Sequence, residues 1–119
     1  MQINTQHKGG ITVINLIGKF DGGKDCEKFQ KKITDLIESG DRKFIFSFSL
    51  IQWITSCGLG TLLAIHEEIT GHGGRVILCN LENRPLSVIY TTRLHEVFEV
   101  RGSLGNAMAQ FKPVVSPRA

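Results

Sequence analysis

Lys43-Phe44-Ile45-Phe46-Ser47-Phe48-Ser49-Leu50 leads, after Ile51-Gln52-Trp53, into Ile54-Thr55-Ser56-Cys57-Gly58-Leu59-Gly60, and the fold is read from this stretch. The phenylalanines at 44, 46 and 48 alternate with Ile45, Ser47 and Ser49, the period of two expected of a buried strand. Beyond the junction, Leu59, Leu62, Leu63, His66 and Ile69 recur at spacings of three and four, the stripe of a core-facing helix. The change of period marks a strand-to-helix junction, with Trp53 in its loop. It sets the hydroxyl of Ser56 and the thiol of Cys57 at a helix N-terminus, where backbone N–H groups lack partners and the helix dipole favours negative charge.

Upstream, Lys8-Gly9-Gly10 turns the polar Met1–His7 segment into Ile11–Ile17, so a hairpin is expected, with Gly18 closing the second strand and Lys19–Lys24 forming a loop around Asp21-Gly22-Gly23. From Asp25 to Ser39, Cys26, Phe29, Ile33, Leu36 and Ile37 follow helical spacing, with Lys28, Lys31, Lys32 and Glu38 on the opposite face and Gly40 as a stop. Downstream, Gly71-His72-Gly73-Gly74 breaks the helix and Arg75–Cys79 is a short apolar run expected of a strand covered on both faces. Asn83-Arg84-Pro85 can open a helix carrying Leu86, Ile89, Tyr90 and Leu94. Val97–Val100 reads as a last strand, and Ser103 as the cap of a final helix through Ala107, Met108 and Phe111. The order β-β-α-β-α-β-α-β-α predicts a single α/β domain over residues 1–112, with about five strands in a mixed, mostly parallel sheet and about four helices. Residues 113–119 read as a flexible tail.

The chain's 119 residues suit one core, and nothing demands a second domain. Its net charge of +3 arises from 14 basic and 11 acidic residues scattered without a like-charge block, which argues against direct nucleic-acid binding. The longest apolar runs reach about half of the roughly 20 residues that a membrane helix needs, so no membrane insertion is expected. The start at Met1-Gln2-Ile3-Asn4 lacks the basic and apolar blocks of a signal peptide. Three cysteines, at 26, 57 and 79, without a Cys-x-x-Cys pair, fit reduced thiols in a cytoplasmic protein.

The junction residues also admit plain structural roles. Ser56 can simply cap the helix, and Cys57 is either a reactive thiol at the helix end or a small apolar residue facing the core. Gly58-Leu59-Gly60 lacks the spacing of a phosphate loop and reads as close packing of helix on sheet. His66 and His72 have no second ligand at metal spacing, so neither a metal nor a cofactor is expected. Lys24, Lys28, Lys31 and Lys32 read as a solvated basic face. Trp53 is either an exposed anchor for a partner or a half-buried rim residue. A nucleophilic enzyme needs a base within reach of Ser56 or Cys57. No Gly-x-Ser-x-Gly elbow or paired His and Asp is evident, so the chain is read as a non-enzyme.

Ile54-Thr55-Ser56-Cys57-Gly58-Leu59-Gly60 resembles the Asp-Ser-Ser/Thr-Gly-Leu-Gly signature of the STAS family, the anti-sigma factor antagonists and related domains of sulfate transporters. Gly18-Lys19-Phe20-Asp21, Gly73-Gly74-Arg75-Val76 and Leu94–Val100 resemble further family steps in the same order, so the resemblance covers nearly the whole chain. It implies an anti-sigma factor antagonist acting by partner switching. Ser56 would be the phosphorylated residue, its partners an anti-sigma factor with serine kinase activity and a phosphatase. The implied partner-binding face comprises Asp21, Trp53, Thr55, Ser56, Cys57, Gly58, Leu59 and Gly60. Thr55 stands where the signature has aspartate, removing a carboxylate from beside the acceptor. That departure fits either a divergent kinase or a STAS module without phospho-control, serving a signalling scaffold or, from the cytoplasmic side, a membrane transporter.

Overall fold

The computed structural model describes residues 1–20 and 23–111. Strands β1 (Gln2–Lys8) and β2 (Ile11–Phe20) are followed by helix α1 (Lys24–Glu38), strand β3 (Lys43–Ile54), helix α2 (Ser56–Gly71) and strand β4 (Arg75–Cys79). Helix α3 (Asn83–Thr91), a single 3-10 turn at Leu94–Glu96, strand β5 (Glu99–Arg101) and helix α4 (Leu104–Ala109) complete the chain. The expected α/β fold and its element order are both present. Spatial order in the sheet follows chain order, with β1 antiparallel to β2 and β2 to β5 mutually parallel.

The first turn is set locally. Gly9 and Gly10 have φ of 56° and 81°, and the register pairs Lys8 with Ile11, which is the two-residue hairpin that residues tolerating positive φ permit. From there each parallel strand is added on the same side of its predecessor. Right-handed crossovers then place the connecting helices on one face. Accordingly the buried residues of α1 (Cys26, Phe29, Ile33, Leu36, Ile37), α2 (Leu62, Ile65, Ile69) and α3 (Ile89) share one core with Ile14, Leu16, Phe44, Phe46, Phe48, Val76 and Leu78. The opposite face is covered by α4, where Ala107 packs with Ile11, Val13, Ile45, Ile77 and Cys79. The continuous apolar run of β4 thus serves two cores, as expected of a strand covered on both faces. Phe29 meets Phe46 edge-on at 5.1 Å and Phe20 at 5.6 Å, contacts of about 0.5–1.5 kcal/mol each beyond burial.

The strand boundaries differ from the sequence reading at one end of the sheet, and the cause is a pair of bulges. Strand β2 does not stop at Gly18 but continues to Phe20. Strand β3 continues past Leu50 to Ile54, so Trp53 is a strand residue paired with Lys19 and not part of a loop. While β2 advances from Asn15 to Phe20, β3 advances from Ser47 to Ile54, so β3 carries two extra residues at two register shifts. Each shift moves the inward phase by one. Phe48, Ile51 and Ile54 therefore all face the same core, at a spacing of three that hides the strand from a period-two reading.

Smaller differences have equally local causes. In α2 the buried set is Gly58, Leu62, Ile65 and Ile69, while Leu63 is exposed and His66 lies at the edge, its ring 4.9 Å from that of Phe98. Helix α3 stops at Thr91. Arg93 takes φ of 63°, a left-handed conformation that ends the helical path, and Leu94 enters the core from the 3-10 turn. Tyr90, expected on the apolar stripe, is half exposed. Strand β5 begins at Glu99 instead of Val97, because Phe98 turns into the core before pairing starts.

Candidate functional site

Between the last residue of β3, Ile54, and the first of α2, Ser56, only Thr55 remains, with φ of −90° and ψ of 172°. That extended geometry makes Thr55 the N-cap. Its Oγ1 accepts a hydrogen bond from the Gly58 N–H at 3.3 Å and donates to the Phe20 carbonyl at 3.4 Å, while its own N–H donates to the same carbonyl at 3.0 Å. The reading of Ser56 as the cap is thus corrected. Because β3 runs through Ile54, the capping position falls one residue earlier, and Ser56 becomes the first helical residue. It is exposed, and among the described residues no hydrogen bond engages its hydroxyl.

The glycines divide. A Cβ on Gly58 would lie 2.7 Å from the Phe20 carbonyl oxygen and 3.1 Å from Ile54 Cγ2, so the helix end approaches the strand ends closely only because this side chain is absent. Gly60 faces open space, and its packing role is corrected. Leu59 is half-buried against the main core. Trp53 is half-buried too, with the Lys19 ammonium 4.4 Å from its ring centroid, a cation–π contact at the rim.

Cys57 is exposed, which excludes the core-facing reading, and its sulfur lies 3.9 Å from that of Cys26 in the first turn of α1. Burial pushes the Cys26 thiol above its ordinary pKa. Cys26 and Phe20 are the site neighbours that spacing alone did not reveal. The signal was topological: parallel pairing of β2 and β3 brings the carboxyl ends of both strands, and the starts of α1 and α2, to one end of the sheet.

The structure therefore brings Trp53, Thr55, Ser56, Cys57, Gly58, Leu59 and Gly60 together at the carboxyl end of β3. Asp21 lies outside the described residues, as do residues 112–119. The first turn of α2 contains no acidic side chain, so a new negative charge at Ser56 would meet the helix N-terminus without like-charge repulsion from that turn. Among the described residues no group of three His, Cys, Asp or Glu side chains is arranged to hold a metal. No helix among them is long and apolar enough to cross a membrane. The basic face of α1 borders a separate groove of about 250 Å³ formed by Ile3, Lys28, Lys31, Lys32 and Asp35.

A family model described as the STAS domain matches residues 2–107. The chain is similar to a candidate anti-sigma factor antagonist of Bordetella bronchiseptica, with 23% identity over 112 residues that cover 94% of this chain and 96% of that one. In architecture it is similar to the crystal structure of a candidate anti-sigma factor antagonist from Thermotoga maritima, with a TM-score of 0.84 and 18% identity over 91% of this chain and 92% of that one. It is also similar to the Bacillus cell fate determinant SpoIIAA in its phosphorylated form, with a TM-score of 0.72 and 22% identity over 93% of this chain and 100% of that one. A family match from the first strand into the last helix, on a sheet of the same architecture, has one conclusion: the chain belongs to the STAS domain family.

Proposed function

We propose that the chain is an anti-sigma factor antagonist working by partner switching. It binds an anti-sigma factor with serine kinase activity while Ser56 carries a free hydroxyl, is released when that kinase phosphorylates Ser56, and is restored by a phosphatase. The observation that carries this reading is the exposed Ser56 hydroxyl at the first position of a sixteen-residue helix, with no hydrogen-bond partner among the described residues, while Thr55 makes the capping bond. Here the capping and modification roles fall on adjacent residues.

Phosphorylation adds roughly −1.5 to −2 charges, which a helix N-terminus accommodates, so the domain stays folded while its surface changes. At a docking face the same charge, unpaired or opposed by an acidic partner, costs several kcal/mol of binding. Trp53 and Leu59 flank the switch with partly buried apolar surface. The second reading, a STAS module without phospho-control in a signalling scaffold or at the cytoplasmic side of a transporter, draws on Thr55 in place of the signature aspartate.

Pull-down from native lysate with wild type, Ser56→Ala and Ser56→Asp tests both. Partner switching predicts that wild type and Ser56→Ala retain a kinase-fold anti-sigma factor, that Ser56→Asp loses it at least about tenfold, and that incubation of wild type with that partner and ATP adds one phosphate. An unshifted mass, with all three forms binding alike, would overturn the switch. Recovery of scaffold proteins or a transporter instead supports the second reading.

A further inference from the structure

Cys26 and Cys57 are 31 positions apart in sequence, yet their sulfurs lie 3.9 Å from each other, and the Cys26 thiol points at the Cys57 carbonyl oxygen at 3.8 Å. The two differ in access: Cys57 is exposed in the first turn of α2, and Cys26 is buried in the first turn of α1. Cys79, also buried, sits in the other core under α4. One thiol is open to a soluble oxidant, and the second is in van der Waals contact behind it.

We propose that this pair is an oxidative modification site, in which a hydroperoxide oxidises Cys57 and Cys26 resolves the product to a disulfide joining α1 to α2. In the first step the Cys57 thiolate attacks a peroxide oxygen. The O–O bond breaks, the leaving hydroxide or alkoxide takes a proton to become water or alcohol, and Cys57 is left as a sulfenic acid. In the second step the Cys26 sulfur attacks the Cys57 sulfur. The S–S bond forms as the S–O bond breaks, and hydroxide departs with the Cys26 proton as water. The two thiols lose two electrons and two protons, and the peroxide gains them. To form the bond the sulfurs close from 3.9 Å to about 2.05 Å. Burial, which raises the Cys26 pKa, also shields that thiol from a soluble oxidant, so the exposed Cys57 is the one that meets the peroxide first. On the reading that Ser56 is the docking residue, the cross-link adjoins the switch and couples it to the redox state.

The test needs no partner and so is independent of Ser56 phosphorylation. The native 119-residue chain is treated with hydrogen peroxide, then analysed by intact mass, by peptide mapping and by alkylation in denaturant. The expected result is loss of two hydrogens, reversed by dithiothreitol, with the Cys26 and Cys57 peptides linked and Cys79 the single alkylated thiol. Cys26→Ser should stop at a sulfenic acid trapped by dimedone, and Cys57→Ser should show no change. Gain of oxygen without loss of hydrogen in the wild type, a linkage to Cys79, or dimedone trapping that is equal in wild type and Cys26→Ser would overturn the proposal.

Discussion

Thr55 is where the sequence departs from the family signature and where the structure shows what was kept. An aspartate at an N-cap would offer a charged acceptor to the first turn, and threonine offers a neutral one. The hydrogen bond to the Gly58 N–H preserves the structural half of that role, and the charge next to Ser56 is dropped. Thr55→Ala should therefore lower stability by about 1 kcal/mol, while Thr55→Asp should stay within about 0.5 kcal/mol of wild type. Urea denaturation of the two variants checks this, and equal losses would show that the bond to Gly58 contributes nothing. The sequence placed Ser56 correctly at a helix start but could not say which of two adjacent hydroxyls caps. That depends on where β3 ends, and its end is set by pairing with β2.

Among the elements, α2 is held against the sheet by absence of bulk at one position. The close approach of Gly58 to the Phe20 carbonyl means that alanine, though the better helix former, has to push the helix end away from β2. Gly58→Ala should destabilise by about 1–3 kcal/mol through overpacking. Gly60→Ala, which meets open space, should instead gain up to about 1 kcal/mol from helix propensity. Chemical denaturation of both variants separates the two glycines that the sequence presents as equivalents. The core face of helix α1 was fully legible, since its five buried residues are the five that its spacing marked, although the helix begins and ends one residue earlier than expected. Strand β3 was legible only as far as its alternation lasted. Beyond Phe48 the two bulges turn a period of two into steps of three, and a rule based on spacing has no means of following an extra residue absorbed by a partner strand.

For the molecule as a whole, the parallel sheet is closed at its β5 edge by Arg75. Its guanidinium makes a two-pronged ion pair with Glu99, with Nε to Oε2 at 2.5 Å, donates to the Gln110 carbonyl at 2.8 Å, and lies 5.1 Å from the Phe111 ring. One side chain thus ties β4, β5 and the end of α4 together. The Arg75 hydrogen bonds hold the Glu99 carboxyl below its ordinary pKa of 4.5, against the opposing effect of burial. A carboxyl with a lowered folded-state pKa contributes stability that is complete above the unfolded value and is lost as pH falls through the folded one. The stability gap between wild type and Glu99→Gln should therefore be full at neutral pH and shrink below about pH 4.5, and added salt should narrow it because the pair is partly exposed. Thermal melts from pH 7 to pH 3 read that gap directly, and a constant gap would show that the ion pair does not stabilise the edge. The sequence by itself determined the order of elements, the parallel character of the sheet and the helix start at Ser56, because hydrophobic period and glycine punctuation are local properties of the chain. Tertiary structure decided that Thr55 is the cap, that Gly58 and not Gly60 touches the sheet, that Cys26 meets Cys57, and that Arg75 fastens the edge. Each of these rests on contacts between segments distant in sequence, whose geometry is set by strand register and helix docking.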